Sequence, residues 1–504
     1  MRIAIAQHQS SYSKYIYWGV FALFVFLIIR YQIRLLDYFE WGDESETIVT
    51  AKMMAAGYRL YSEVFNMHGP LTFLPGYILE QFGSFGIKSH RIVMVVMQWA
   101  ALGALYFSPL LQDRWTRCLY IVVAATFNLA LFSNIFAHTY TYQAIAGLLL
   151  VIILSQYVLP SIAEPKLISR SAVLLANALL MSLPFLAITY IPAALFLFLA
   201  AFRVSQFRDI LLGLVLGLFF NLLFLGFTGS FAGYAAIHFY LNLKVVPLFL
   251  GGASPVEMLQ TAWLNASSGL QAIFASVIVV LGSIRLATGS NSTDGRYAIF
   301  RAILFFIAIE SLLLRGSGFQ GLPYWYALTA IPLIFFKDIF FTGRKYFLLA
   351  VLVMVTCLIK LLIILPDDKA RIRSKPVPKY TPFSELVKRY TNKDDRILAY
   401  SFQNHQYILA DRLPGSANFF FLPWQAKYSQ QPVLGVKLDV CGDIKKSRPK
   451  MLLIDKMNVD GQWAWNSYAQ CVQEIMDQDY QQIKGTHYYI RNDAFPKELE
   501  AEKS

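Results

Sequence analysis

Cysteine and charge are what this sequence has least of. Of its 504 residues, 4 are Cys and only 15% are charged. A soluble domain carries nearer a quarter charged residues, so the shortage excludes an ordinary soluble enzyme. Cys118 and Cys357 fall in or beside apolar runs, where they read as buried small residues, and no CxxC spacing argues for zinc. There is also no Gly-rich phosphate loop, no internal repeat and no low-complexity tract. The first apolar run lacks a small-residue cleavage site behind it, so it is expected to stay as a helix and not be removed as a signal.

What is there is apolar: 57% hydrophobic residues, with 40 Phe and 29 Tyr. The chain is therefore expected to be integral to a membrane. Its net charge of +13 fits Lys and Arg concentrated in cytoplasmic loops and calls for no nucleic-acid partner. A spanning helix needs about 20 mostly apolar residues. Such runs begin at Tyr15–Leu36, continue from Ile92–Leu111 to Tyr346–Leu365, and number about eleven. This predicts a polytopic α-helical membrane domain over 1–365. Its acidic first loop, 37–89, carries two short interfacial helices, Glu44–Ala56 and Leu71–Phe82.

Alternate loops carry Arg114 and Arg117, Lys166 and Arg170, Arg203 and Arg208, Arg285 with Arg296 and Arg301, then Lys337 with Arg344 and Lys345. The opposite set is poor, and the long 228–269 loop has only Lys244. The N-terminus is thus expected in the cytoplasm of a bacterial plasma (inner) membrane, with the acidic loop and the chain's C-terminal part outside. From 366 to 504 the composition becomes that of a small α/β extracytoplasmic domain. Arg396–Tyr400 and Met451–Asp455 read as buried strands, Ser467–Asp479 as a helix and His487–Arg491 as an edge strand. An outer location would let Cys441 and Cys471 form a disulfide. His405 and Asp411 read as surface and turn residues.

The chemistry-bearing stretch is Trp41-Gly42-Asp43-Glu44-Ser45-Glu46, followed by His68-Gly69-Pro70-Leu71. Asp43 and Glu46 share a helix face. Two readings stand for Asp43: an N-cap with solvated neighbours, or a general base toward a weak hydroxyl nucleophile. At Arg315-Gly-Ser-Gly-Phe-Gln320, a lone arginine beside glycines reads either as an anion site or as an arginine snorkelling to the interface. Glu310, inside the preceding run, needs a partner such as Arg315 or another span. The turn around Asn134, His138, Tyr140 and Tyr142 is polar and aromatic, suiting either sugar stacking or an interfacial belt. In the 228–269 loop, Tyr234, His238, Tyr240 and Lys244 are further candidates for the same cavity.

With Asp43-Glu44, Gly57-Tyr58-Arg59-Leu60-Tyr61-Ser62-Glu63 and His68-Gly69-Pro70-Leu71 in this order, the chain resembles the GT-C membrane glycosyltransferases. In particular it is similar to the bacterial branch related to protein O-mannosyltransferases and the lipid A aminoarabinose transferase. The resemblance implies transfer of a sugar, with inversion, from a polyprenyl-phosphate donor to a hydroxyl of a glycan, lipid or protein acceptor. Asp43 would be the essential acid, with Glu44, Glu46, Tyr61, Glu63, His68, His138, Tyr140, Arg315 and Gln320 around donor and acceptor. No cofactor is required by the sequence; some members use a divalent metal, for which Asp43, Glu44 and His68 are the candidate ligands. The chain departs from the family at His68-Gly69-Pro70, where relatives often have Lys-Pro-Pro, and at the 134–143 turn, which lacks their second acid. Two other classes compete. A lipid-linked saccharide flippase or transporter should show repeat symmetry and charged residues within its spans. A polymerase or ligase of the O-antigen type usually keeps functional arginines in a large outer loop between late spans.

Overall fold

The computed structural model describes residues 2–132, 136–250, 255–288, 295–336 and 344–498; Asn134 and Lys337, named above, lie outside them. Among the described residues, six helices are long and apolar enough to cross a membrane: Tyr17–Leu35, Arg114–Phe132, Tyr142–Ala163, Val204–Thr228, Phe231–Leu250 and Leu270–Thr288. Arg170–Phe185, Ile188–Ala201 and Leu349–Ile363 are shorter apolar helices. The exposed sides of these helices are rows of Leu and Phe, with Phe219 and Phe227 on one of them. Exposed apolar rows of this length suit lipid as their solvent. The protein is thus a polytopic helical membrane protein carrying a small C-terminal sheet domain.

Close helix packing follows from small residues. Helix Phe207–Thr228 lies along Arg170–Ser182. A Cβ added at Gly213 would stand 2.6 Å from the Leu174 carbonyl oxygen, and one at Gly217 would stand 2.5 Å from that of Ala178. With glycine at both positions the two backbones touch, the device by which membrane helices gain van der Waals contact without a hydrophobic driving force.

The segment that positions the site begins where α1 (Arg2–Leu35) ends. It leads into α2 (Gly42–Ala55), a 3₁₀ turn Pro70–Thr72, α3 (Leu74–Glu80) and α4 (Ile87–Tyr106). Trp41 occupies the N-cap position of α2 and Asp43 sits inside the first turn, so Asp43 is not the cap. Two further helices flank the site: α5 (Arg114–Phe132) and α6 (Tyr142–Ile153), the latter prolonged by a π-turn to Ala163.

Two expectations are corrected here. The first part of the 228–269 stretch, expected as a loop, is helical over Phe231–Leu250, and Tyr234–Val245 within it is wound as a π-helix. Its apolar content sustains a helix, and its wider turns let His238 and Asn242 both reach the Met67 carbonyl, at 2.9 and 3.0 Å. The second correction is in the sheet of the C-terminal domain. It comprises β1 (Ile397–Tyr400), β2 (Met451–Ile454), β3 (Tyr480–Gln482) and β4 (Tyr488–Arg491), in the order β1-β2-β4-β3. The 487–491 strand, expected at the edge, pairs on both sides. The hairpin through Gly485, whose φ is +74, folds β3 back onto it. β1 and β2 are parallel and buried throughout. Cys441 and Cys471 are joined by a disulfide linking helices Val440–Ser447 and Gln470–Asp479.

Helix Arg344–Ser374 runs beyond residue 365 and delivers the chain to the C-terminal domain. At its end, Phe39 N–H donates to the Lys375 carbonyl and Val377 N–H to that of Asp37, both at 2.8 Å. This short antiparallel pairing ties the start of the C-terminal domain to the approach of α2.

Candidate active site

Arg91 of α4 fixes the frame. Its side chain is 1% exposed and is held by Glu44, whose side chain is fully buried. Nε donates to Glu44 Oε1 at 2.8 Å and Nη2 to Glu44 Oε2, a bidentate pair. The remaining donors meet the carbonyls of Leu35, Leu36, Tyr38 and Phe39. Glu44 Oε1 also accepts from Tyr140 N–H at 3.0 Å. One buried cation thus gathers the end of α1, the loop after it, the first turn of α2 and the approach to α6. Glu44 is committed to this junction.

The other face of the same turn is open. Asp43 and Glu46 are both partly accessible and are close enough for the charge of Asp43 to act on Glu46. Burial pushes the Asp43 carboxyl above the ordinary carboxylate range. The Trp41 indole and the Arg315 guanidinium pull it back down, and Glu40 adds to the rise. Burial pushes Glu46 further up, and the charge of Asp43 adds to this.

His68 Nδ1 stands 3.8 Å from Glu46 Oε1, and both atoms are buried without a hydrogen-bond partner. Burial, with the charge of Arg315 and a contribution from His238, lowers His68 to about 3. It is therefore a neutral ring at physiological pH. Its backbone is pinned: the Tyr61 hydroxyl donates to its carbonyl at 2.7 Å, and its N–H donates to Asn66 Oδ1 at 2.9 Å.

Arg315 arrives from the far end of the sequence. Its Nη1 donates to the Tyr142 hydroxyl at 2.8 Å, and that hydroxyl donates to Gln320 Oε1 at 2.9 Å. Gln143 Nε2 donates to the same oxygen at 3.2 Å. The Tyr142 ring lies 4.5 Å from His68, centroid to centroid, which closes the circle back to the first loop. A recess beside Arg315 and Gln320 is walled by Thr189, Tyr190 and Ser311. Next to Tyr142 along α6, an apolar cavity of about 330 Å³ opens between Leu71, Leu74, Ile145, Leu149, Leu179 and Phe220.

The structure brings together Asp43, Glu46, His68, Arg315 and Gln320 of the expected residues. The others serve the fold. The Tyr61 hydroxyl is used on the His68 carbonyl, and Glu63 Oε2 accepts from Arg59 N–H at 2.8 Å in a local turn. His138 is buried against Tyr38, with Nδ1 at 2.9 Å from the Phe132 carbonyl. The Tyr140 hydroxyl donates to the Thr72 carbonyl at 2.7 Å and accepts from Gly76 N–H. Tyr234 and His238 stack on one another behind the first loop. Glu310 does not pair with Arg315; its Oε1 accepts from the Tyr324 hydroxyl at 3.4 Å. No group of three or more His, Cys, Asp or Glu able to hold a metal is present among the described residues.

Sequence reasoning missed Arg91 and Tyr142. Arg91 stands at the head of an apolar run, where a charge needs a partner. Tyr142 was visible only as one aromatic in a polar turn. It also misread His405, whose Nδ1 lies 2.9 Å from Glu40 Oε2.

No family model and no curated protein matches the chain. Solved structures do. The Archaeoglobus fulgidus oligosaccharyltransferase AglB, solved with an inhibitory peptide and a dolichol-phosphate, is 10% identical, with a TM-score of 0.47. The match covers 96% of this chain and 75% of that one. An Archaeoglobus fulgidus oligosaccharyltransferase tethered to an acceptor peptide gives 11%, 0.48, 94% and 73%. ArnT from Cupriavidus metallidurans, bound to undecaprenyl phosphate, is 11% identical with a TM-score of 0.47 over 94% of this chain and 97% of that one. AglB and ArnT are GT-C membrane glycosyltransferases. At these identities and scores the likeness assigns no residue a role.

Proposed function

We propose that the protein is a membrane glycosyltransferase that moves a sugar from a polyprenyl-phosphate donor to an acceptor hydroxyl on the outer face of the membrane. The observation that carries this reading is the convergence of a base and a cation. Arg315, between two late spans, bonds the Tyr142 hydroxyl, whose ring lies 4.5 Å from His68, and His68 stands 3.8 Å from Glu46 on the short helix that also carries Asp43. An apolar cavity of about 330 Å³ opens further along α6, at Ile145 and Leu149, where an apolar chain could lie.

In this reading Asp43 removes the proton as the acceptor oxygen attacks the anomeric carbon, because a sugar or side-chain hydroxyl is too weak a nucleophile at neutral pH. The carbon–oxygen bond to phosphate breaks with its electron pair leaving on the phosphate. Arg315, held in place by the Tyr142 hydroxyl, stabilises that charge where water is scarce. A single displacement inverts the anomeric carbon. Glu46 and His68, facing each other with unpartnered atoms, receive hydroxyls of donor or acceptor. The loop distribution of Lys and Arg supports an outward-facing site, a cytoplasmic N-terminus and an outer C-terminal domain.

The test is transfer from radiolabelled undecaprenyl-phosphate hexoses and pentoses by the full chain in liposomes. Arg315→Ala should lower kcat by about 100-fold, as removal of an oxyanion donor does, while its thermal midpoint stays with the parent's. A parental rate from a folded Arg315→Ala protein would refute the phosphate role. Movement of the donor across the bilayer without any transfer would identify a flippase instead.

A further inference from the structure

The C-terminal domain reaches the approach to Asp43 at three places. Its first residues pair with 37–39, as described above. Gly42, next to Asp43, lies so near Phe402 that an added Cβ would be 3.1 Å from the Phe402 carbonyl oxygen. Between these contacts His405 Nδ1 meets Glu40 Oε2 at 2.9 Å, with 12% and 5% of the two side chains exposed. A carboxylate only accepts, so Nδ1 is the protonated ring nitrogen in this pair. Glu40 Oε1 has no partner. The helix that His405 opens, His405–Ala410, packs on α2.

We infer that Glu40 and His405 form a positioning pair through which the C-terminal domain places the first turn of α2 and with it Asp43. The inference rests on Asp43 being the base. Leaving a carboxylate half-satisfied and largely buried costs stability, and this one stands where its charge is felt at Asp43. The charges that face Asp43 are Arg315 from the late turn, Glu46 from its own helix, and Glu40 from the preceding loop. Arg315 favours the ionised form of Asp43, and Glu40 opposes it. His405 touches no candidate substrate-binding residue, so its influence passes through Glu40.

The sign of the effect can be read in a pH profile. Removing the Glu40 charge removes a repulsion that holds a proton on Asp43. The acid limb of kcat/KM should therefore move to lower pH in Glu40→Gln. His405→Ala should lower kcat about tenfold with donor KM unchanged, as loss of a purely orienting contact does. His405→Asn, which keeps an amide donor near the Nδ1 position, should recover most of that loss. The experiment is transfer by the full chain in liposomes from the same undecaprenyl-phosphate panel, across pH, with thermal midpoints recorded for each variant. Glu40→Gln and His405→Ala proteins that keep the parental kcat and pH profile would overturn the inference. So would a uniform loss at every pH that His405→Asn does not rescue, because that marks a merely structural contact. Asp43→Asn is run alongside. If it keeps transfer, the base assignment fails. If it is inactive while Glu40→Gln and His405→Ala behave as the parent, the positioning pair alone fails.

Discussion

Asp43 and Glu44 stand side by side on α2, yet the rotation of about 100° per residue sends them into different surroundings. Glu44 turns into the protein and is neutralised by Arg91. Asp43 turns toward Arg315 and the site. The raised proton affinity of Asp43 has a direct consequence. A base must be ionised to act, so kcat/KM should fall as pH drops through its raised pKa, with the acid limb above pH 3.8, the ordinary value for Asp. A profile flat to pH 4, measured by initial rates with the parent protein, would contradict this. Arg91 carries the second prediction at this scale. Removing one partner of a buried pair leaves the other charge uncompensated, which costs about 3–5 kcal/mol. Arg91→Ala should therefore lower the thermal midpoint sharply or abolish folded protein, whereas Glu63→Ala, in an exposed turn, should leave it within a degree or two.

At the scale of elements, the short helix after the first span was legible because its punctuation is local: apolar spacing from Ile48 to Ala55, then Gly57 as a stop. The strands at 397–400 and 451–454 were legible because unbroken runs such as Met-Leu-Leu-Ile suit parallel strands buried on both faces. What escaped depends on partners distant in sequence. Nothing near Arg91 says that it will be wrapped by carbonyls 52 to 56 residues before it. Nothing near Tyr142 says that Arg315, 173 residues away, will use its hydroxyl. The strand at 488–491 was misplaced at the edge because β3 is three residues long and has little pattern of its own. Helix pairing offers a clean check here. Gly217→Leu would push Phe207–Thr228 off the Ala178 backbone, and overpacking of this kind costs about 1–3 kcal/mol. The thermal midpoint in detergent should fall, while Gly103→Ala, where an added Cβ meets nothing within 4 Å, should leave it unchanged.

At the scale of the whole molecule, the C-terminal domain is part of the site's frame and not a detached cover. Phe65 N–H donates to the Ala417 carbonyl at 2.9 Å, so the domain grips the first loop beyond α2 as well as before it. Its disulfide closes a loop of 30 residues, and in the chain-entropy account such a cross-link contributes roughly 3.6 kcal/mol. Cys441→Ser with Cys471→Ser should therefore lower the unfolding temperature of that domain, and reducing agent should reproduce the shift in the parent but not in the double variant.

The central claim is that Asp43 is the base of a glycosyl transfer, and the rate of Asp43→Asn tests it most directly. Asparagine keeps the shape of the side chain and removes its ability to take a proton. With labelled undecaprenyl-phosphate sugars and the full chain in liposomes, the variant should bind donor as the parent does and transfer at least about 100-fold more slowly. A folded Asp43→Asn protein that transfers sugar at the parental rate would contradict the account.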